Sequence, residues 1–250
     1  MSINVEQLTP YGDTGSDKKQ QVRHMFNNIA PAYDFLNRFM TLRLDTLWRR
    51  ATVKSVEASR PRNVLDLATG TADLAIATAR RLPQVTLTAA DISPRMLDIA
   101  RHKIQRHGLQ RRIDLVEADG TCLPFASDTF DCATIGFGIR NFASLHSGYA
   151  ELFRVLRPGG HLLVLELATP ANPLTRALYK LYTRTVIPLA GRLVSRDAKA
   201  YTYLPQSVAQ VPQRHQMLNI MKACGFEHTA FKSLMPGTAI LYTAIKPQTT

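Results

Sequence analysis

The stretch that decides the fold of this chain is Val64-Leu-Asp-Leu-Ala-Thr-Gly-Thr-Ala-Asp-Leu-Ala75. Its apolar start predicts a buried strand, its only glycine, Gly70, predicts a tight turn, and its last residues begin a helix. A second apolar stretch ends in Asp91, 21 residues after Gly70. A carboxylate at about this spacing can accept hydrogen bonds from both hydroxyls of a ribose. An ordinary turn explains Gly70 alone, whereas the pairing of Asp66 with Asp91 predicts a nucleoside-binding site.

The loop after the first strand separates two classes of nucleoside cofactor. A dinucleotide site needs G-x-G-x-x-G, so that a pyrophosphate can approach bare backbone at a helix N-terminus. The corresponding frame, residues 68–73, has glycine at one of the three places, and Asp73 adds negative charge where phosphates would lie. The loop therefore favours a cationic cofactor without phosphates, S-adenosylmethionine, whose amino group or sulfonium Asp66 can attract. A dinucleotide remains the weaker alternative.

Strand and helix patterns alternate after residue 62, which predicts a parallel, doubly wound α/β sheet of the Rossmann-like type. Helical spacing over residues 22–56 predicts two or three N-terminal helices, interrupted at Ala30-Pro31. Two strands after Gly225, joined through Pro236-Gly237, predict a closing antiparallel hairpin. The predicted strands are 64–67, 85–90, 113–117, 132–137, 161–167, 226–231 and 239–245, and the predicted core helices are 73–82, 94–107 and 143–156.

These patterns predict one domain over residues 22–250, after a flexible, polar lead-in over residues 1–21. Within the domain we expect four parts. They are a helical lid over 22–58, a cofactor-binding core over 62–168, a helical insertion over 170–220 that faces substrate and membrane, and closing strands over 225–246.

Composition limits the class of protein. A chain of 250 residues with 45% hydrophobic content can bury one sizeable core. No apolar stretch approaches the roughly 20 residues of a membrane span, and no basic-then-apolar leader opens the chain, so we expect a cytoplasmic protein. Cys122, Cys132 and Cys224 follow neither a metal-ligand spacing nor a disulfide framework, and no metal is expected.

The formal net charge of +12 predicts a polyanionic partner, either nucleic acid or an anionic membrane surface. Basic residues between Leu174 and Lys199 alternate with aromatic and aliphatic ones, as in a helix that lies at a lipid headgroup boundary. An ordinary helix that packs its apolar stripe on the domain explains the pattern equally well. The charged residues of this segment are Arg176, Lys180, Arg184, Arg192, Arg196 and Lys199, with Asp197 as the acid.

Four further segments of the sequence are distinctive. They are Met25-Phe-Asn-Asn-Ile-Ala-Pro-Ala-Tyr-Asp-Phe-Leu-Asn37 with Leu47-Trp-Arg-Arg50, Gly136-Phe-Gly-Ile-Arg-Asn141, Arg154-Val-Leu-Arg-Pro-Gly-Gly160 with Glu166, and Tyr201-Thr-Tyr-Leu-Pro-Gln-Ser207. Together they resemble the menaquinone and ubiquinone biosynthesis C-methyltransferases, over about residues 22–246. The third segment, an Arg-Pro-Gly-Gly turn, is shared by many methyltransferases, and the other three are far more selective. The resemblance implies the class I S-adenosylmethionine-dependent methyltransferase fold.

The resemblance also implies a reaction, the C-methylation of a polyprenyl hydroquinone, with demethylmenaquinol as the expected acceptor in the last step of menaquinone biosynthesis. Its tail lives in the bilayer, so we expect transient attachment to the anionic inner face of the cytoplasmic membrane. Nucleic acid is not expected as a partner, and a homodimer stays open. The alternatives are a benzoquinol of the ubiquinone pathway, a small-molecule O-methyltransferase, and a nucleic-acid-binding protein or RNA methyltransferase.

Site residues follow from the same resemblance. Arg140 is too basic to accept a proton, so we expect it to stabilise a phenolate or to hold a water that removes the proton. Asn141 adjoins it, and Tyr33 with Asp34 are candidates for ring packing or proton acceptance, or equally for a structural role in the lid. The expected cofactor residues are Asp66 at the amino group, Gly70 and Thr71 in the loop, Asp91 and Ile92 at the ribose, Asp119 and Gly120 at the adenine, and Gly136.

The chain departs from the family pattern at a few site positions. Thr69 and Ala72 stand where the family commonly has glycine, Asp45 where it often has histidine, and Gly136 where serine is frequent. Alanine at position 72 is expected to be compatible with cofactor binding only if its φ angle is negative.

Overall fold

The computed structural model describes residues 5–179, 181, 182, 185 and 198–248. Their strands form one seven-stranded sheet. They are β1 Asn63–Leu67, β2 Thr86–Asp91, β3 Ile113–Glu117, β4 Phe130–Gly136, β5 Leu156–Leu167, β6 Glu227–Leu234 and β7 Ala239–Ile245. The spatial order is β3-β2-β1-β4-β5-β7-β6, and β7 runs antiparallel to both of its neighbours. The predicted mostly parallel sheet with a C-terminal antiparallel hairpin is confirmed.

Helices cover both faces of the sheet. They are α1 Lys18–Met40, α2 Leu44–Ala58, α3 Asp73–Arg81, α4 Pro94–Arg106, α5 Leu145–Val155, α6 over residues 173–179, α7 Ala198–Gln210 and α8 His215–Ala223, with a 3-10 turn at Ile139–Asn141. Successive strand residues point to opposite faces. Leu65 therefore packs in the core under α5 and α8, whereas its neighbour Val64 packs in the core under α2, α3 and α4. None of the helices among the described residues is long and apolar enough to cross a membrane.

The order of the strands creates the site. The chain proceeds from β1 outward to β2 and β3, then returns to place β4 on the other side of β1. In such sheets a crevice opens beside the carboxyl ends of the strands at the point where the order reverses. The loops after β1, β2 and β4 therefore converge on one place.

The predicted break at Ala30-Pro31 is wrong, because α1 runs unbroken from Lys18 to Met40. Proline lacks the N–H that would bond to the carbonyl four residues earlier, which is that of Asn27. A guanidinium nitrogen of Arg95 instead donates to this carbonyl at 3.4 Å. A contact from α4 thus compensates in part for the bond that Pro31 removes.

The first described residues of the predicted lead-in pack against the rest of the domain, whereas residues 12–17 are exposed. The Val5 side chain has no exposed surface, and the Glu6 carboxylate accepts a hydrogen bond of 2.7 Å from the Leu145 N–H at the start of α5. Lys18 Nζ donates to the Val5 carbonyl at 2.6 Å. These partners are distant in sequence, so the polar composition of the segment gave no sign of them.

In the second half of the chain, one further prediction differs from the structure and another is described only in part. Strand β5 begins at Leu156, five residues before the predicted start, because Leu156 already pairs with Phe130 ahead of a register shift. In the predicted basic helix between Leu174 and Lys199, residues 173–179 are helical. Lys180, Arg184, Arg192, Arg196 and Asp197 lie outside the described residues.

Candidate active site

A cavity of about 680 Å³, partly open to solvent, lies at the carboxyl ends of β1, β2 and β4. Tyr33 of α1 closes one side of it. Eight of the eleven predicted site residues line this cavity, namely Tyr33, Gly70, Asp91, Ile92, Asp119, Gly120, Gly136 and Asn141. The structure places the other three, Asp66, Thr71 and Arg140, in adjoining cavities.

Asp91 joins the loop after β1 to the end of β2. The Gly70 N–H donates to its Oδ2 atom at 2.8 Å, and the Ser93 N–H donates to its Oδ1 atom at 2.9 Å. Gly70 adopts a left-handed φ of +57°, which glycine does without strain. Burial raises the pKa of Asp91 to about 6, against opposing backbone hydrogen bonds. At neutral pH the carboxylate is thus a buried anion that can accept hydrogen bonds from the two hydroxyls of a diol.

Ala72 has a φ of +64° and begins α3 in the left-handed conformation. The condition expected for cofactor binding at this alanine, a negative φ, is therefore not met. A left-handed φ costs an L-residue roughly 1–2 kcal/mol. Ala72 bears that strain at the start of α3.

A smaller cavity of about 320 Å³ lies behind the loop and shares Tyr33, Ala68 and Gly136 with the first. Asp66 and Asp73 line it as anions and Arg49 as a cation, and Arg49 also pairs with Asp45 and lies 3.9 Å from Asp73. Asp66 accepts hydrogen bonds from the hydroxyls of Thr69 (2.5 Å) and Thr134 (2.6 Å). Burial raises the pKa of Asp66 to about 6, and these hydroxyls oppose the rise. An anion and a cation side by side could hold the ammonium and carboxylate of an amino acid.

Thr71 and Asp34 are committed to an ionic network. The Thr71 hydroxyl donates to Asp34 Oδ1 at 2.6 Å and accepts from Lys103 Nζ at 3.0 Å. Lys103 also binds the other oxygen of Asp34 at 2.8 Å and pairs with Asp73. The network joins α1, α3 and α4 around the loop. These bonds hold Thr71 and Asp34 in place, and the cofactor contact expected of Thr71 and the ring packing or proton acceptance considered for Asp34 stay predictions.

Asp119 and Gly120 lie at the far end of the first cavity. Asp119 pairs with Lys19 at 2.8 Å and accepts from the backbone and hydroxyl of Thr121. Burial alone would raise the pKa of Asp119, but these donors outweigh it and lower the pKa. A Cβ atom at Gly120 would overlap the ring of Phe142, so glycine is required there by packing.

A larger, mostly apolar cavity of about 1290 Å³ opens between α1, α2, α6 and α7. Tyr33 and Phe137 line both this cavity and the first one. Phe137 has a φ of +62°, an uncommon conformation for an aromatic residue, and its ring packs against Trp48 with centroids 6.1 Å apart. The strained residue forms part of the wall between the two cavities.

Arg140 lies at the inner end of this larger cavity. Its Nη1 atom donates to Glu166 Oε1 at 2.6 Å and to the Phe137 carbonyl, and its backbone N–H donates to Glu166 Oε2 at 3.3 Å. Both Arg140 and Glu166 are buried. The guanidinium is therefore fixed in a mostly apolar cavity, whose other charged lining residues are Asp45 and Arg49.

Sequence reasoning missed Lys19, Arg49 and Lys103, which supply the positive charges around the site. All three are on helices, and each reaches the site through a long side chain. Only Arg49 carried a signal, since it lies in the Leu47-Trp-Arg-Arg50 segment.

Comparison with known proteins agrees with this geometry. Residues 14–246 match the model of the ubiE/COQ5 methyltransferase family. A demethylmenaquinone methyltransferase of Bacteroides fragilis is 42% identical, over 98% of this chain and 100% of the relative. A ubiquinone/menaquinone biosynthesis C-methyltransferase UbiE of Geotalea daltonii is 39% identical, over 92% of this chain and 98% of the relative.

Among solved structures, the S-adenosylmethionine-dependent methyltransferase SibL is similar in fold, with a TM-score of 0.63 and 19% identity over 83% of this chain. This chain spans 57% of that longer protein. At this identity the likeness concerns the fold alone. Matched along nearly its whole length by sequence, the chain belongs to the ubiE/COQ5 methyltransferase family.

Proposed function

We propose that this protein transfers the methyl group of S-adenosylmethionine to a ring carbon of a polyprenyl hydroquinone, and that demethylmenaquinol is its substrate. One observation carries the proposal. A cavity with a buried carboxylate for a ribose shares Tyr33 and Phe137 with a large apolar cavity whose inner end holds a fixed arginine. The names of the relatives support the same reaction, and the demethylmenaquinone methyltransferase of Bacteroides fragilis supports the naphthoquinol over the benzoquinol.

The cavities fit S-adenosylmethionine. Asp91 would bind the ribose hydroxyls, and Ile92 with Phe142 would flank the adenine. Asp66 and Arg49 would bind the ammonium and carboxylate of the methionine part, behind the loop. The side chain of Asn141 supports this arrangement, because both its amide atoms are buried without a partner among the described residues and the residue lines the cofactor cavity.

When bound, S-adenosylmethionine supplies an electrophilic methyl group on a positively charged sulfur. A ring carbon of a phenol attacks such a group well only after the hydroxyl has lost its proton. Arg140 lowers the pKa of that hydroxyl by stabilising the phenolate, because its charge is fixed by Glu166 and little exposed to water. Tyr33 and Phe137 hold the ring beside the methyl group, so that the reacting atoms come within about 3 Å.

The proton of the hydroxyl leaves through water. Arg140 does not accept it, since its pKa lies above about 12. Burial raises the pKa of Tyr33, which keeps its phenol protonated at neutral pH and makes it a poor acceptor. A water held by Arg140 would carry the proton to solvent, and Tyr33 would serve to pack the ring.

The tail of such a substrate lies in a membrane, and the mouth of the larger cavity suits a lipid surface. Among the described residues, all the large hydrophobic side chains that are exposed lie around this mouth. Each of them except Phe35 lines the cavity or is next in sequence to a lining residue, and Phe35 stacks on Phe39. Arg38, Arg43 and Arg50 are exposed beside them. We therefore propose transient attachment to an anionic membrane at this rim. Its apolar members are Phe35, Phe39, Leu42, Leu47, Leu174, Leu178, Leu181 and Met235.

The function is tested by transfer of labelled methyl from S-adenosylmethionine to reduced demethylmenaquinone, with the reduced benzoquinol precursor and bulk RNA in parallel. We expect label on a ring carbon of the naphthoquinol, and loss of that label in Arg140→Ala with cofactor affinity retained. Label on a substrate oxygen would indicate an O-methyltransferase. Label only in RNA, or no transfer despite cofactor binding, would refute the proposal.

A further inference from the structure

Three buried side chains near the end of β4 carry polar atoms without a partner among the described residues. They are the Tyr203 hydroxyl, Arg140 Nε, and both amide atoms of Asn141. Tyr203 is 3% exposed and Asn141 is 7% exposed. Buried polar groups are nearly always hydrogen-bonded, because burying one without a partner costs free energy. Several such atoms in one place indicate a polar ligand.

All three residues line one cavity of about 440 Å³ between α1 and α7. It shares Arg140, Asn37 and Met40 with the large apolar cavity, and it shares Asn141 and Tyr33 with the cofactor cavity. The unpartnered atoms thus lie where a substrate ring would meet the cofactor.

Two of these atoms are hydrogen-bond donors fixed in position. Glu166 holds Nη1 of Arg140, which lines this cavity, and its Nε atom has no partner among the described residues. Tyr203 lies close enough to Arg140 for their charges to interact, and burial raises the pKa of its phenol to about 12 although Arg140 opposes the rise. The tyrosine therefore keeps its proton at neutral pH and can donate it in a hydrogen bond.

We propose that Tyr203 is a substrate-binding residue whose hydroxyl, together with Arg140 Nε, donates to the phenolate oxygen beside the carbon that is methylated. This inference rests on the proposed function and adds a contact to it. The bond between ring carbon and methyl forms as the sulfur–methyl bond breaks, and the phenolate electron pair moves into the ring. The ring carbon then loses its proton to water, which regenerates an aromatic phenolate, and the oxygen takes up a proton to give the methylated phenol. Negative charge on the oxygen is greatest before transfer, so the two donors act by making the phenolate easier to form.

This role has a signature in the pH dependence of the rate. Loss of one donor raises the pKa of the bound substrate hydroxyl, and a rise of one unit lowers the phenolate fraction tenfold at neutral pH. In Tyr203→Phe we expect kcat to fall about tenfold at pH 7 and the acid limb of the kcat profile to move up by about one pH unit. The deficit shrinks as the pH rises, and it also shrinks for a quinol analogue with a more acidic hydroxyl.

The matched control is Tyr149→Phe, since Tyr149 is also buried but its hydroxyl contacts Met217 in the core under α5 and α8. Cofactor affinity, measured by calorimetry, should remain at the wild-type value in both variants. A Tyr203→Phe enzyme with the wild-type profile would overturn the inference, and so would a loss that is equal at every pH, because a structural defect acts that way.

A second measurement needs no variant. A product analogue, methylated at the ring carbon and therefore unreactive, is titrated on wild-type protein with cofactor product present, and its phenolate absorbance is followed. Its pKa should be lower when bound than when free, and equality would refute the two-donor site. Failure of wild-type protein to methylate any quinol would instead remove the proposed function itself.

Discussion

Asp66 and Asp91 are buried carboxylates that must be ionised to attract a cationic cofactor. Burial raises the pKa of each to about 6, above the value near 4 of an unfolded chain. The folded protein without ligand therefore binds these protons more tightly than the unfolded chain does. These two groups therefore contribute stability that is lost as the pH rises from about 4 to about 6.

Cofactor affinity has the opposite pH dependence, because the ionised carboxylates bind the sulfonium, ammonium and hydroxyl groups best. We expect the Kd of S-adenosylmethionine, measured by calorimetry, to rise about tenfold for each of the two groups between pH 7 and pH 5, the range in which they take up protons. Asp91→Asn should weaken binding at pH 7 and reduce this pH dependence. Asp114→Asn, at an exposed position on β3, is the control and should match wild type. A Kd independent of pH would refute the role of the two carboxylates.

Glu166 and Arg140 form a buried ion pair, and removing one partner leaves the other charge uncompensated. Glu166→Gln keeps the size of the side chain and an acceptor oxygen. We expect it to lower the free energy of unfolding by about 3 kcal/mol, measured in urea, and to reduce methyl transfer because the guanidinium is no longer fixed. The control Glu151→Gln breaks a more exposed pair with Arg154 and should cost less than about 1 kcal/mol. Equal losses in the two variants would contradict the buried pair.

Residues that follow strands directly could be predicted from sequence, because the strand pattern fixes where each loop begins. Gly70, Asp91 and Asn141 are examples, and all three line the cofactor cavity. Tyr203 and Lys103 could not be assigned a site in this way. Their contacts depend on how α7 and α4 pack, and no local pattern reports that.

At the scale of elements, α1 is a helix that lines both cavities. Lys19 and Tyr33, on the same helix, line the cofactor cavity. Asp34 is held by Lys103 of α4, and Lys103 also holds the loop through Thr71. Sequence periodicity predicted helix here with a break at Pro31. It could not predict the unbroken helix, because the contact from Arg95 that compensates for the proline is tertiary. Helix α1 and the cofactor loop are thus connected by the shared contacts of Lys103 and directly by the bond between Thr71 and Asp34.

Lys103→Met tests this connection. The methionine keeps much of the length of the side chain and removes the charge, which leaves Asp34 and Asp73 facing each other without their shared cation. We expect a loss of stability on the order of 2 kcal/mol and weaker binding of S-adenosylmethionine, since Thr71 and Asp34 lose the cation that both of them bind. Lys54→Met makes the same change at an exposed position on α2 and should leave both quantities unchanged. Unaltered cofactor affinity in Lys103→Met would show that Lys103 is not needed to position the cofactor loop.

At the scale of the whole molecule, alternation of strand and helix patterns was enough to predict the sheet, since a crossover of this kind favours parallel neighbours. The same pattern could not predict the rim of the larger cavity. The rim combines the end of α1, the start of α2, α6 and the β6–β7 turn, which lie far apart in sequence. The Tyr182 hydroxyl bonds to the Met40 carbonyl at 3.2 Å, and the Trp48 ring N–H bonds to the Met235 carbonyl at 2.7 Å. These two bonds bring the segments together around the mouth.

The basic and apolar side chains of this rim are expected to bind an anionic membrane together. Each basic residue near an anionic surface contributes about 1 kcal/mol. Neutralising Arg38, Arg43 and Arg50 to glutamine should therefore lower partitioning onto vesicles of one part phosphatidylglycerol to three parts phosphatidylcholine by roughly a hundredfold at low salt. Replacing Phe39 and Leu178 with serine should lower it as well, and that loss should persist at high salt because apolar insertion is not screened.

The control is an equal change of charge elsewhere on the surface. Arg111, Lys222 and Lys232 are exposed beside β3, on α8 and on β6, and their triple glutamine variant has the same net charge as the rim variant. If the protein were attracted only by its total charge, both triple variants would leave the vesicles to the same extent. We expect the control to remain bound in the cosedimentation assay. If the control variant lost vesicle binding as much as the rim variant did, the rim would have no special part in attachment.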